Sequence, residues 1–296
     1  MEVFFHIGYP KTASTWLQEK LFPNLKKIQY IGNRETGRFF FESDAFLFNP
    51  EDVYQHLKCY TEASRYLFSS ELLSTPINYG WHNGTISKTC ADKIKITFPA
   101  AKILIFIRNQ QSLAASAYQQ YIKNGGTYSI KHFLYNSHFS CNHLLFDGLI
   151  SYYDMLFGKE NVYIFFFEDF VKNPRGFVES FCNLFGFEVD VDTLDFNIVN
   201  RGLRVGFIPL IRFLNLFHAK PVGRKRMVLK LPKFVGIINR LIKPLNQFRI
   251  FGNFAKYQNI LDNKDIEYFR KTFAESNNKL ARRVSYEKLK EHGYLL

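Results

Sequence analysis

One stretch constrains this chain more than any other: Val3-Phe4-Phe5-His6-Ile7-Gly8-Tyr9-Pro10-Lys11-Thr12-Ala13-Ser14-Thr15-Trp16-Leu17. Val3 to Ile7 is a short apolar run of the kind found in buried strands. Gly8 and Pro10 punctuate it. Thr12, Ser14 and Thr15 are helix-start residues; Leu17, Leu21 and Phe22 follow at helical spacing, and Pro23 ends the run. A strand that turns so quickly into a helix builds an anion site. The N–H groups of the first helical turn have no partner within the helix, and the helix dipole favours negative charge beside them. Lys11 adds a full positive charge, and the three hydroxyls add donors. The expected ligand is a phosphate or a sulfate-like group.

The common nucleotide-triphosphate loop, G-x-x-x-x-G-K-[ST], matches only at Lys11-Thr12, because Phe5 and Pro10 stand at its glycine positions. What remains, Gly8 to Trp16, resembles the 5′-phosphosulfate loop of sulfotransferases that use 3′-phosphoadenosine 5′-phosphosulfate (PAPS), whose usual form is P-K-[ST]-G-[ST]-[ST]-[WF]. Ala13 replaces the usual glycine. The resemblance implies that Lys11, Thr12, Ala13, Ser14 and Thr15 hold the 5′-phosphosulfate and that Trp16 stacks on adenine.

A second carrier lies downstream. Lys102 to Ile107 reads as a buried strand ending at Arg108, and a helix of good formers follows from Asn109. The family has an Arg at this strand end and a Ser eight residues on, both on the nucleotide 3′-phosphate; Arg108 and Ser116 hold that spacing. Arg offers a planar fork of donors for phosphate oxygens. Asn109-Gln110 departs from the family's frequent Asp-Pro. The segment Glu168-Asp169-Phe170 resembles a third family element, whose acidic pair is structural. Asn200-Arg201-Gly202-Leu203-Arg204 matches loosely a basic loop over the 3′-phosphate and adenine, which makes Arg201 and Arg204 expected contributors.

Arg65 to Ser70 reads as a further buried strand ending at Glu71, where the family places a general base. Catalytic groups of open α/β sheets sit at the carboxyl ends of strands, and a carboxylate there can accept an alcohol proton. His6, inside the first strand, and His82, in a turn-rich stretch, are weaker candidates for the base.

Strands at Val3–Ile7, 65–71, 102–108 and 161–167 alternate with helical patterns. This alternation predicts an α/β fold with a central parallel sheet covered by helices on both faces, and the resemblance implies the P-loop-like three-layer sandwich. Further helices are expected over 39–46, 51–59, 86–98, 130–157, 177–185 and 262–284. No linker or repeat divides the chain, so residues 1–296 are expected to form a single domain. Cys59, Cys90, Cys141 and Cys182 are far apart and have neither metal-ligand nor redox spacing; no metal is expected. The first strand starts almost at Met1, leaving no room for a signal peptide. No apolar run is long enough to span a bilayer. A cytoplasmic protein is therefore expected.

The stretch 201–256 holds thirteen Lys and Arg and no Asp or Glu, which equals the whole formal net charge of +13. Basic and apolar residues alternate in it, and Phe234, Ile238, Leu241, Leu245 and Phe248 share a helical face interrupted by Pro244. Three readings stand: a basic amphipathic element at an anionic membrane surface, peripheral to its inner face; a surface that steers an anionic substrate; or a solvated basic insertion. No recognition motif accompanies the charge, so nucleic acid is not expected.

The resemblance implies sulfuryl transfer from PAPS to an acceptor hydroxyl, with release of adenosine 3′,5′-bisphosphate (PAP). A carbohydrate or glycolipid acceptor fits a Glu base, aromatic richness and a basic face. Two alternatives stay open: a nucleotide-dependent kinase with an atypical phosphate loop, and a membrane-associated binding protein on an inactive sulfotransferase scaffold.

Overall fold

A computed structural model describes residues 1–60, 63–74, 85–135, 141–197, 202–217, 244 and 246–296. Its centre is a five-stranded sheet, β1 (Glu2–His6), β2 (Gln29–Ile31), β3 (Arg65–Ser69), β4 (Lys102–Ile107) and β5 (Val162–Phe166). The strands lie in the order β2-β3-β1-β4-β5, and every pairing is parallel. In a parallel sheet covered on both faces the strands read as continuous apolar runs, with alternate residues serving opposite faces. Val3, Phe5, Tyr66, Phe68, Ile103, Ile105 and Ile107 enter one core. Phe4, Leu67, Leu104 and Phe106 enter the other.

The first core is closed by α2 (Asn33–Phe40), α3 (Pro50–Leu57), α4 (Thr85–Thr97), α5 (Gln110–Lys123) and α7 (Phe146–Phe157), with α6 (Ile130–Leu134) beside α5. The second is closed by α1 (Ser14–Trp16) with the tighter and wider turns that prolong it to Asn24, and by α9 (Pro174–Phe185), which follows α8 (Phe167–Lys172). Much of the chain's Phe content packs here: Phe106, Phe165, Phe181 and Phe185 meet in edge and stacked contacts at 4.9–6.2 Å.

Three local expectations change. The helix expected over 39–46 lies instead at Asn33–Phe40. Asp44 stops any continuation, because its Oδ1 accepts the N–H groups of Phe46 and Leu47 and so holds a turn. The edge strand β2 was not expected; at three residues it carries too little pattern to read. The single helical run over 130–157 is divided into α6, a short 3-10 turn at Cys141–Leu144, and α7. His82, Arg201 and the apolar helical face expected over 234–248 lie outside the described residues, apart from Phe248. Among the described residues no helix is long and apolar enough to cross a membrane.

β1 is central. The chain leaves it toward β2 and β3 on one side and later crosses to β4 and β5 on the other. Such a switch point opens a crevice at the carboxyl ends of the strands, and three expected site segments meet there.

Candidate active site

The loop after β1 continues along β4: Ile7 N donates to Leu104 O (3.0 Å) and Tyr9 N to Phe106 O (2.9 Å). Gly8 is required by this approach, since a Cβ there would lie 2.8 Å from Phe106 Cβ and 2.9 Å from His6 Nε2. The loop then turns through two left-handed residues, Lys11 (φ 71°) and Ala13 (φ 68°). Ala13 is the N-cap of α1 and offers no side-chain acceptor to the first helical N–H groups. These donors have no partner within the helix.

Lys11, Glu71 and Arg108 converge at the ends of β1, β3 and β4. Lys11 Nζ donates to Gln120 Oε1 of α5 (3.1 Å). Arg108 Nη1 donates to Lys11 O (3.0 Å), and its guanidinium lies over the Phe167 ring at 4.3 Å. Glu71 opens a 3-10 turn just beyond β3 rather than ending the strand, and Ser70 caps that turn by accepting from Leu72 N. Ser74 fastens the turn to the loop by donating to Gly8 O (3.2 Å).

The charges feel one another. Burial pushes the Lys11 ammonium below its usual pKa, with Glu71 opposing the shift and Arg108 reinforcing it. Burial raises the Glu71 carboxyl, partly offset by the Ser14 hydroxyl and by Lys11. Ser14 is buried beside Glu71. Burial brings Arg108 down to about 10, with Glu168 acting in the opposite direction. Arg108 Nε is also buried without a partner.

Other expected residues stand as follows. Thr12 is fully buried, and its hydroxyl donates to Tyr9 O, closing the loop on itself. Thr15 is exposed at the helix start. Ser116 is half-buried on α5, one turn before Gln120 and so on the face that meets Lys11. Trp16 is buried, 5% exposed. Its indole N–H donates to Asp195 O (2.8 Å), and its ring lies against Phe196 at 5.3 Å and Phe170 at 5.0 Å. Arg204 does not join the cluster. Its guanidinium donates to the carbonyls of Asn246, Gly252 and Gln247 (2.6–3.1 Å) and lies over Phe254. A basic residue in a loosely matching loop does not reveal that local carbonyls will claim it.

His6 is a core residue. Its Nδ1 meets Ser69 Oγ at 2.7 Å, and burial lowers its pKa to about 3. The Asn109-Gln110 departure has a structural account. Asn109 caps α5, and both its backbone and side-chain N–H groups donate to Glu168 Oε1 (3.0 Å each). Gln110 donates to Asn277 Oδ1 of the long helix Asn263–Leu280 (2.7 Å). The Glu168-Asp169 pair thus ties strand ends to the C-terminal segment, where Lys288 pairs with Asp169.

Sequence reasoning missed Gln120 and Lys123. Both follow Ser116 at helical spacing, which was the available signal. Lys123 lies close enough to Lys11 that the Lys11 charge, together with burial, holds its pKa down.

Residues 2–201 match the family model described as "Sulfotransferase domain". This covers more than half of the chain, which therefore belongs to the sulfotransferase family. A sulfotransferase from Alicyclobacillus acidocaldarius is similar in fold: 21% identity, 73% of this chain and 90% of that one covered, TM-score 0.50. A mouse sulfotransferase solved in complex with PAP aligns over 94% of this chain and 85% of its own, at 16% identity and TM-score 0.46. A sulfotransferase domain from the curacin biosynthetic pathway aligns over 64% and 75%, at 15% identity and TM-score 0.37. No curated protein sequence matches.

Proposed function

We propose that the chain takes the sulfuryl group of PAPS to a hydroxyl of a carbohydrate or glycolipid acceptor and releases PAP. The observation that carries this reading is the convergence of Lys11, Glu71 and Arg108 at the ends of three adjacent strands. The residues present fit a nucleotide with two separate anionic groups. The helix start has no side-chain cap, and Arg108 Nε is buried with no partner.

When bound, PAPS supplies the sulfuryl group and a phosphate leaving group. Lys11 and the N–H groups of Ala13, Ser14 and Thr15 would hold the 5′-phosphosulfate and stabilise negative charge on its leaving phosphate oxygen. Glu71 accepts the acceptor's hydroxyl proton as the new oxygen–sulfur bond forms. Its raised pKa makes it a stronger base than an exposed carboxylate. Arg108 and Ser116 hold the 3′-phosphate and so select PAPS over ATP. Thr12 serves through the loop it closes. The charge of 201–256 supports a peripheral position at an anionic membrane.

Thermal stabilisation by PAP, with AMP and ATP–Mg²⁺ as controls, tests the donor. A ligand at about a hundred times its Kd adds about 2.7 kcal/mol. Selective stabilisation by PAP that disappears in Arg108→Ala is expected. A response to ATP–Mg²⁺ alone would promote the kinase reading and overturn this one. Lys11→Ala should abolish transfer.

A further inference from the structure

The helix α10 (Phe207–Asn215) buries Phe207, Ile208, Ile211 and Asn215. Its other side leaves Leu210 46% and Phe213 58% exposed. Phe248 and Ile250, 59% and 87% exposed, stand on a turn tied to the same helix. Gly206 N donates to Phe251 O (3.1 Å), and the Phe207 ring packs on Phe251 at 4.2 Å. Arg204 fixes the turn by its three carbonyl contacts. Four large apolar side chains are therefore open to solvent on two elements locked together, which marks an interaction surface.

Charge decides the partner. Among the described residues of 202–256 the charged side chains are Arg204, Arg212, Arg249 and Lys256, with no acidic residue. Arg249 stands between the exposed Phe248 and Ile250, and Arg212 between Leu210 and Phe213. A two-fold contact between copies would set this charge against itself. Nucleic acid would use the charge but not the apolar side chains. Apolar groups among cations complement an anionic bilayer.

We infer that this face seats the enzyme on an anionic membrane, with Leu210, Phe213, Phe248 and Ile250 entering the interfacial layer. The consequence for substrate rests on the sulfuryl-transfer reading. Asn215 Nδ2 donates to Ile122 O and Gly126 O (2.8 Å each), so α10 is bonded to the end of α5. Two residues before Ile122 lies Gln120, the partner of Lys11 Nζ. The docking face and the reacting centre thus share one end of α5, and the acceptor a docked enzyme meets is lipid-borne.

The test is co-sedimentation of the full chain with vesicles of phosphatidylcholine alone and of phosphatidylcholine mixed with phosphatidylglycerol. The PAP thermal shift is measured in parallel, so that failure of the donor reading shows separately. Wild type is expected to bind the mixed vesicles selectively. Leu210→Ser/Phe213→Ser/Ile250→Ser should bind at least about tenfold more weakly, since three apolar side chains are withdrawn, and should keep its thermal transition. Ile250→Ser, at the most exposed of the four positions, should weaken binding on its own if the triple variant is unstable. Absent binding, equal binding to both vesicles, variants that bind like wild type, or self-association through this face would each overturn the inference.

Discussion

Ala13 stands where the family's motif usually has glycine, and the backbone there is left-handed, φ 68° and ψ 13°. An L-residue in this region costs about 1–2 kcal/mol, whereas glycine adopts it freely. Glycine also gives the unfolded chain extra freedom worth about 0.4–1 kcal/mol. Ala13→Gly should therefore stabilise the protein by about 0.5–1 kcal/mol. At about 2.1 cal/mol/K of unfolding entropy per residue, 296 residues give about 0.6 kcal/mol/K, so Tm rises by about 1–2 °C. Thr15 supplies the control. It is exposed and lies within the helix, so Thr15→Gly should lose about 0.3–0.5 kcal/mol by helix propensity. Calorimetry of both variants without nucleotide reads the two signs side by side. If Ala13→Gly lowers Tm as Thr15→Gly does, the left-handed loop, and with it the account of the phosphate cradle, is wrong.

Three further outcomes are expected. Glu71→Gln should lower turnover by about 10²–10⁴-fold and keep the PAP response; the wild-type rate should climb with pH through a value above the ordinary 4.5, because burial raises this carboxyl and only its ionised form accepts a proton, and the Gln variant should lack that limb. His6 is neutral in the fold down to about pH 3 but takes a proton near 6.5 when unfolded, so its contribution is intact above pH 6.5 and falls by about 1.4 kcal/mol per unit below it; urea titrations across this range should show the slope in wild type and a flatter one in His6→Asn. Arg204→Lys cannot reach all three carbonyls and should lose about 1.5–3 kcal/mol for each bond left unmade, read as a lower Tm, with PAP still stabilising the folded protein; loss of PAP binding alone, with Tm unchanged, would return Arg204 to the nucleotide site.

The strand-turn-helix at 3–17, the apolar runs of β3, β4 and β5, and the Lys11, Glu71 and Arg108 positions were legible because each is a local pattern: an unbroken apolar run, a strand end, a helix start. Period-two sorting of β1 and β4 between the two cores follows from the strand alone. Beyond that range the sequence is silent. Side chains with the same letters were claimed by distant partners: Trp16 by Asp195 and Phe196, Arg204 by the carbonyls of 246–252, Asn109 by Glu168. Asp44 holds a turn where a helix was expected, and the three-residue β2 is recognised only by its pairing with β3.

The sequence by itself determined the fold class and the family, because strand and helix periods and a short anion-binding turn are properties of neighbouring residues. Tertiary structure decided which charges share a site. Lys11, Glu71, Arg108 and Gln120 meet only because β3, β1 and β4 lie side by side and α5 folds back over the loop. It also decided what those charges can do, since burial against one another, and not their identity, sets the basicity of Glu71 and the lowered pKa of Lys11.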